Sequence, residues 1–406
     1  MKHSNTTLLA AAIGLGFASS AIAAVPHTFS SGSPAVASEV NANFSDLDGR
    51  ISTNTDNHLV LEGDLESLSE RVESLETAGS SSDVYQTVSI DCNTDSTALA
   101  AVLSENRNTV TRFTYNVSGA CDAIAIERND VKIVGDGTAS IAYADNVDYE
   151  SVYIDAQSNV RIENIALEGN LYAKNSSSVR LSDVVFAPAF VDDSGDEMFN
   201  LYINSSYLRI QSGSLNNVNL RGNRNSTIDI KSSVSGMAPQ AIVDGNSTMI
   251  INSDSATFGV VEAISNSFIY ADQLNAQELI SEGSSMVEAE SLTLSDRLEA
   301  WGNARIAVWG DADIENDTVI VRNSSLVVDG NFTSGGLQCQ FSSSMEFKSD
   351  VATDKTLSWD QNNSTSVDIH KGCFAQVNGS YTFNAGIVVG PLSSFINSQW
   401  NEVVDP

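Results

Sequence analysis

Six carboxylates recur along the middle of the chain: Asp254, Asp272, Glu290, Asp311, Asp329 and Asp350, spaced 18 to 21 residues apart. Hard oxygen ligands held at one edge would suit Ca²⁺, which makes it the candidate cofactor. A solvated turn face is the ordinary alternative, and no glycine-rich Ca²⁺ nonapeptide accompanies the six residues. Trp301 and Trp309 flank a turn in the same region. Exposed indoles can stack on sugar rings, although Trp more often packs into a core or loop.

Chemistry of bond cleavage is harder to find. Glycoside hydrolysis needs two carboxylates facing one bond. The paired carboxylates of "VDDSGDE", Val191 to Glu197, read as a loop between structural units, either catalytic, Ca²⁺-binding or simply solvated. Arg209, Arg221, Arg224, Lys231, Arg305 and Arg322 show no pairing in the sequence, and neither a nucleophile–base set nor a phosphate loop emerges. No catalytic residue is assigned. Four cysteines, Cys92, Cys121, Cys339 and Cys373, fit two disulfides in an exported chain. Neighbour pairing is the simplest of three connectivities. Metal binding is the weaker reading, because no C-x-x-C occurs and the four histidines are scattered.

The elements that carry these residues repeat. Asn225, Asn246, Asn266, Ser284, Asn303, Asn323, Ser343 and Asn363 each open a polar turn, 18 to 21 residues from the last. Alternating apolar residues follow, such as Met249 and Ile251, Phe268 and Tyr270, and Leu326 and Val328. Period two means strand. A repeat of about 20 residues holding two or three short strands is a solenoid signature, because one unit cannot bury its own apolar face. Asn tolerates the left-handed turn conformation and can bond from coil to coil. A β-sandwich would need tight antiparallel hairpins, for which "VNGSY" near Asn378 is the one good candidate.

Ahead of the repeats, "DCNTDSTALAAVLSENRN" offers an N-cap at Asp95 or Ser96 and an apolar face of Leu99, Val102 and Leu103. A short helix there would cover the open end of a coil stack. Then come a "Y-x-V" strand and Ile124, Ile126, Val131, Ile133, Gly135 and Gly137 in the pattern I-x-I-x-x-x-x-V-x-I-x-G-x-G. This order, from about Ile90 to Ile141, resembles the start of pectate-lyase-like right-handed parallel β-helix proteins. The resemblance implies an all-β right-handed solenoid and says little about activity, since that fold carries lyases, hydrolases, epimerases, adhesins and spikes. Hydrolases of the family carry N-T-D, D-D and G-H-G motifs. Here N-T-D occurs at Asn54–Asp56 and Asn93–Asp95, both off any expected solenoid face, and no G-H-G occurs.

Residues 24–78 read as a stalk. Phe44, Leu47, Ile51, Asn54, His58, Leu61, Leu65, Leu68, Val72 and Leu75 keep a heptad seam, which predicts a self-associating coiled coil, dimer or trimer. The alternative is an amphipathic helix packed on the body. "TFSSGSPAVASEVNANF" resembles a short module found before coiled-coil stalks of secreted bacterial proteins. Residues 1–23 read as a secretory signal peptide, with Lys2 and His3 before an uncharged run ending at Ala21-Ile22-Ala23. The expected organisation is signal 1–23, stalk 24–78, linker 79–89, cap and first coils 90–141, β-helix 142–390 and tail 391–406.

The charge is lopsided, 52 acidic against 20 basic residues for a net −32. That imbalance argues against nucleic acid and anionic membrane surfaces as partners, because both need a basic patch. No second membrane-length apolar span follows the signal. The expectation is a secreted or surface-displayed protein acting in adhesion, surface structure or glycan binding without catalysis. The alternative is a polysaccharide lyase or glycoside hydrolase on the same fold.

Overall fold

The computed structural model describes residues 85–144, 150–187, 199–353, 355, 365–383, 386–390 and 392–397, with isolated positions between 36 and 45. The chain divides into two units, Met1–Val84 and Tyr85–Pro406. In the first, Ser38, Asn41, Ala42 and Ser45 are helical. The coiled-coil seam, the signal segment, the acidic loop 191–197 and Asn363 lie outside the described residues.

The second unit is a parallel β-solenoid of about 13 turns. Among the described residues thirty strands pair in parallel, each with its counterpart one coil away. One coil shows the plan. The two-residue turn Gly245–Asn246 leads to a short strand, Thr248–Ile251, and then to a longer one, Ala256–Ala263, which runs to the next turn at Ser265–Asn266. Along Thr248–Ile251 burial alternates, with Met249 and Ile251 inside and fully covered. Met249 is in register with Ile228 and Ile269, so these side chains stack in one interior column. No coil could bury that face alone.

The turns explain the Asn repeats. Residues at successive turns adopt positive φ in pairs: Arg224–Asn225, Gly245–Asn246, Ser265–Asn266, Gly283–Ser284, Gly302–Asn303, Arg322–Asn323 and Phe341–Ser342. Left-handed backbone is costly for most side chains and cheapest for Gly and Asn. Turn amides donate to carbonyls one coil further on, as Asn225 does to Gly245 at 2.9 Å and Asn266 to Gly283 at 3.0 Å. The Asn246 side chain also reaches Asn225 Oδ1 at 3.4 Å.

After the turns comes a row of buried serines, Ser177, Ser206, Ser226, Ser247, Ser267, Ser285, Ser324 and Ser343, with Ala304 interrupting and Cys373 following Ser343. Most of these hydroxyls donate to the carbonyl three residues back, as Ser247 does to Asp244 at 2.6 Å and Ser267 to Ile264 at 2.6 Å. Two turn positions therefore differ from the sequence reading. Ser342, not Ser343, takes the turn place, and the next turn in register is Lys371–Gly372, because an insertion lengthens that coil.

At the start, the helix is Ala98–Glu105, with Leu99 and Leu103 buried and Val102 packed against the core. Its N-cap is Thr97, neither Asp95 nor Ser96. Asp95 instead braces Thr97, accepting its backbone N–H at 3.0 Å and its hydroxyl at 2.7 Å. Those bonds hold the Asp95 carboxyl below its usual pKa. The boundaries shift too. The first strand, Gln86–Asp91, begins inside the expected linker, and Ser394–Asn397 extends the stack into the expected tail. Neighbouring cysteines pair, Cys92 with Cys121 and Cys339 with Cys373.

Candidate functional site

Because strands stack in register, an outward residue that recurs at one place in the repeat becomes a row along the solenoid, with steps of about 4.8 Å. Two such rows stand out, on different strands of the same coils.

The first runs along the strand after each turn. Lys132, Arg161, Arg180 and Arg209 occupy one outward position on four consecutive coils. Their neighbours in sequence, Val131, Ile133, Val160, Ile162, Val179, Leu181, Leu208 and Ile210, all point into the core. Like charges one step apart repel by roughly 3 kcal/mol at an effective dielectric of about 20, so the protein must compensate for them. Lys132 pairs with Glu163 at 2.7 Å, and Arg161 Nε donates to Asn159 Oδ1 at 3.1 Å. Asp229 takes the same position on the next coil and ends the row. Its nearly buried carboxylate accepts from Arg209 Nε and from the Tyr207 hydroxyl, each at 2.9 Å, with Lys231 Nζ at 3.0 Å. Burial, reinforced by the Asp229 charge, pushes the Tyr207 hydroxyl up to about 12.

The second row lies on the strand before each turn. Tyr153, Tyr172 and Tyr202 follow one another in register, and Arg221 continues them. The Tyr172 and Tyr202 rings stack at 4.5 Å, and Lys174 Nζ sits 4.6 Å over the Tyr153 ring. One coil earlier the position belongs to Ala125, which supplies no ring. An open groove of about 320 Å³ occupies that end of the row, lined by Ala123, Ile124, Ala125, Ala144, Glu150 and Tyr153.

The residues singled out from the sequence fall elsewhere. The six-carboxylate ladder is not one row. Ile251, Ala271, Ala289, Val308, Val328 and Phe347 are in register, so the positions after them align Asn252, Asp272, Glu290, Trp309, Asp329 and Lys348. Asp311 and Asp350 belong to a second row, two residues further on, and Asp254 lies two residues past the Asp272 position. Asp329 is neutralised by Lys348 at 2.7 Å. Asp311 and Asp350 cap backbone N–H groups of Asn331 and Ser380 at 2.7 and 2.8 Å. No cluster of three or more potential metal ligands occurs among the described residues.

The two tryptophans also part company. Trp301 donates to Glu299 at 3.0 Å and carries the Arg322 guanidinium 5.3 Å over its ring. Trp309 is exposed, in the row of Glu290 and Asp329. Of the basic residues noted in the sequence, Arg209 and Lys231 converge on Asp229, whereas Arg221 bonds Gln240 at 3.1 Å. Asn93 serves a turn, donating to Asp91 Oδ1.

Lys132, Arg161 and Arg180 escaped the sequence reading, although "VKI", "VRI", "VRL" and "LRI" at 131, 160, 179 and 208 announce them. No family model, curated protein or solved structure matches the chain.

Proposed function

We propose that this is an exported, non-catalytic right-handed parallel β-helix of the pectate-lyase-like kind, which binds a glycan in adhesion or surface structure. The stalk would assemble it into a dimer or trimer, and the leader would direct it out of the cell. No helix among the described residues is long and apolar enough to cross a membrane.

The observation that carries the glycan reading is the groove at Tyr153. Ala125 takes a place that the next three coils fill with tyrosine, which leaves room for a flat ligand at the end of the ring row. Ala123, Ala125 and Ala144 give that groove an apolar lining, and Glu150 and Tyr153 are the polar residues beside it. Apolar faces beside a few placed polar groups match the two-sided character of a sugar ring.

The test is a glycan array with product analysis on the mature chain. Binding without released fragments is expected. Ala125→Tyr would extend the stack into the groove and should abolish that binding without unfolding the protein, since Ala125 is exposed. Cleavage products, or binding indifferent to Ala125→Tyr, would refute this reading.

A further inference from the structure

We propose that the outer face around Ile250, Phe268, Tyr270 and Met286 is a docking surface for a basic, amphipathic segment of a partner protein. It lies on the strands after the turns, several coils beyond the Tyr153 groove, and does not rest on the glycan reading.

The argument begins with orientation. Ile269 and Ala271 are buried, so Phe268 and Tyr270 point outward, although both are aromatic. Register gathers their neighbours. Thr248 and Ile250 lie beside Phe268 and Tyr270 on the coil before, and Met286 and Glu288 lie beside them on the coil after. Ile250 and Met286 are outward too, since Met249, Ile251, Val287 and Ala289 fill the interior. Steps are about 4.8 Å between coils and about 6.6 Å between outward residues of one strand, so the four side chains form one contiguous apolar block. The fold does not require it. The same two positions hold Thr227 and Asp229 on the coil before Ile250, and Ser344 and Glu346 further along.

An apolar block on an outer face, rimmed by polar groups, marks an interaction surface. Here the rim is acidic. Glu288 follows Tyr270 in its row, and Asp272 and Glu290 are neighbours in the next outward row. The Tyr270 hydroxyl donates to Glu290 Oε1 at 3.5 Å. Among the described residues no lysine or arginine forms an ion pair with Asp272, Glu288 or Glu290. Arg305, in register with Met286, borders the block on its far side. This composition selects the occupant. Aromatic residues and methionine are enriched at protein interfaces, and Ile and Met give adaptable aliphatic surface without the polar edges that orient a sugar. Carboxylates beside aromatic rings call for cations at the partner's rim. A second copy placed face to face would oppose the same carboxylates, at a net charge of −32 per chain. Nucleic acid and anionic membranes would be repelled in the same way.

The full mature chain is titrated with a synthetic amphipathic peptide of lysine and leucine, about twelve residues long. One counterpart carries glutamate in place of lysine, and another carries serine in place of leucine. Variants are Phe268→Ser with Met286→Ser, Glu288→Gln with Glu290→Gln, and the remote, exposed control Glu105→Gln with Asp122→Asn, each checked for an unchanged melting curve. Serine already stands at the Phe268 position on later coils, as Ser325 and Ser344, so the first pair suits the fold. The lysine–leucine peptide should bind and neither counterpart should. The Ser pair should weaken binding by about tenfold or more, the Gln pair by roughly threefold to tenfold with a smaller salt dependence, and the control by less than about twofold. No binding of the lysine–leucine peptide at low salt, wild-type affinity in the Ser pair, or equal losses in the Gln pair and the control overturns the proposal. So does concentration-dependent self-association in light scattering that the Ser pair loses, which would put a second copy on this face. Array binding sensitive to Ala125→Tyr is independent of all these outcomes, so the two readings fall separately.

Discussion

The Ser226 backbone N–H donates to the Ser247 hydroxyl at 3.1 Å, from one coil to the next, inside the solenoid wall. Ser247 Oγ in turn donates to the Asp244 carbonyl at 2.6 Å. One hydroxyl thus bonds two backbone groups, the Ser226 N–H and the Asp244 carbonyl, which also accepts the Arg224 N–H at 3.2 Å. Ser247→Ala should leave both without that partner and cost about 1–3 kcal/mol. Ser324 sits in the same row, buried, with a hydroxyl that has no hydrogen-bond partner. Ser324→Ala should be neutral or mildly stabilising. Urea midpoints of the two variants decide; equal losses would mean the row stabilises by packing alone.

The core and turn positions of one coil should respond on different scales. Ile251 is fully buried in the aliphatic column, so Ile251→Asp places a carboxylate among side chains that cannot solvate it. A loss on the order of 4 kcal/mol or failure to fold is expected. Asn246 needs only to hold a φ of 62°. Asn246→Ala should cost about 1 kcal/mol and Asn246→Gly nearly nothing. Similar losses for Ile251→Asp and Asn246→Ala would contradict the assigned register.

The strand period and turn chemistry of that coil were readable because they are local. Met249 and Ile251 alternate, and Asn recurs where left-handed backbone is cheapest. The rows were harder, because they depend on how many residues each coil holds. Counting carboxylates by sequence spacing joined Asp272 to Asp311, although Asp311 lies two residues further round its coil. Counting from the turns also hid the basic row. Lys132 to Arg161 and Arg180 to Arg209 are 29 residues apart, while Arg161 to Arg180 is 19. A loop can lengthen a coil without disturbing the strand register, so the uneven gaps disguised a regular array. The Tyr153 groove was invisible for a further reason: it depends on a missing ring at Ala125.

The disulfides tie together positions that the stack already brings close. Cys92 and Cys121, 29 residues apart, join the first strand to the start of the next coils. Closing such a loop removes unfolded-state freedom worth roughly 3–4 kcal/mol in the chain-entropy account. Replacing both by Ser should lower stability by about that amount and loosen protection of the helix Ala98–Glu105 first. Hydrogen exchange of the Ala101 amide, which donates to the Thr97 carbonyl at 2.9 Å, and of the Leu103 amide reports it. Unchanged exchange there would show that helix packing, not the disulfide, holds this end.

Alkaline pH should act on the end of the basic row. Tyr207 is pushed up to about 12 by burial and by the Asp229 charge, against about 10 in an unfolded chain. Between pH 10 and 12 the unfolded chain loses this proton while the folded one keeps it. The unfolded state then binds fewer protons, so stability falls as pH rises. Tyr207→Phe removes this contribution. Its urea midpoint should start lower, for want of the Asp229 hydrogen bond, yet decline less steeply from pH 9.5 to 11.5 than that of the wild type. Tyr270, also held near 12, supplies slope common to both proteins. Parallel declines would place the titration of Tyr207 outside this window.

Calcium poses the last test, because the register changes what the carboxylates can do. Asp272 and Glu290 are true neighbours, one coil apart, while the next place in their row is Trp309 rather than Asp311. Asp311 spends one carboxylate oxygen on the Asn331 N–H at 2.7 Å, and Asp329 is matched by Lys348. Two exposed or half-exposed carboxylates leave most of the six to eight oxygens of a Ca²⁺ site to water. Specific binding would raise stability by mass action, about 2.7 kcal/mol at a hundredfold excess over Kd. Screening would instead respond alike to Na⁺ at matched ionic strength. We expect identical melting curves in millimolar CaCl₂ and matched NaCl, for the native chain and for Asp272→Asn, Glu290→Gln, Asp311→Asn together. A Ca²⁺-specific rise in the native chain, absent from the triple variant, would instead show that these three side chains converge on an ion despite their separate rows.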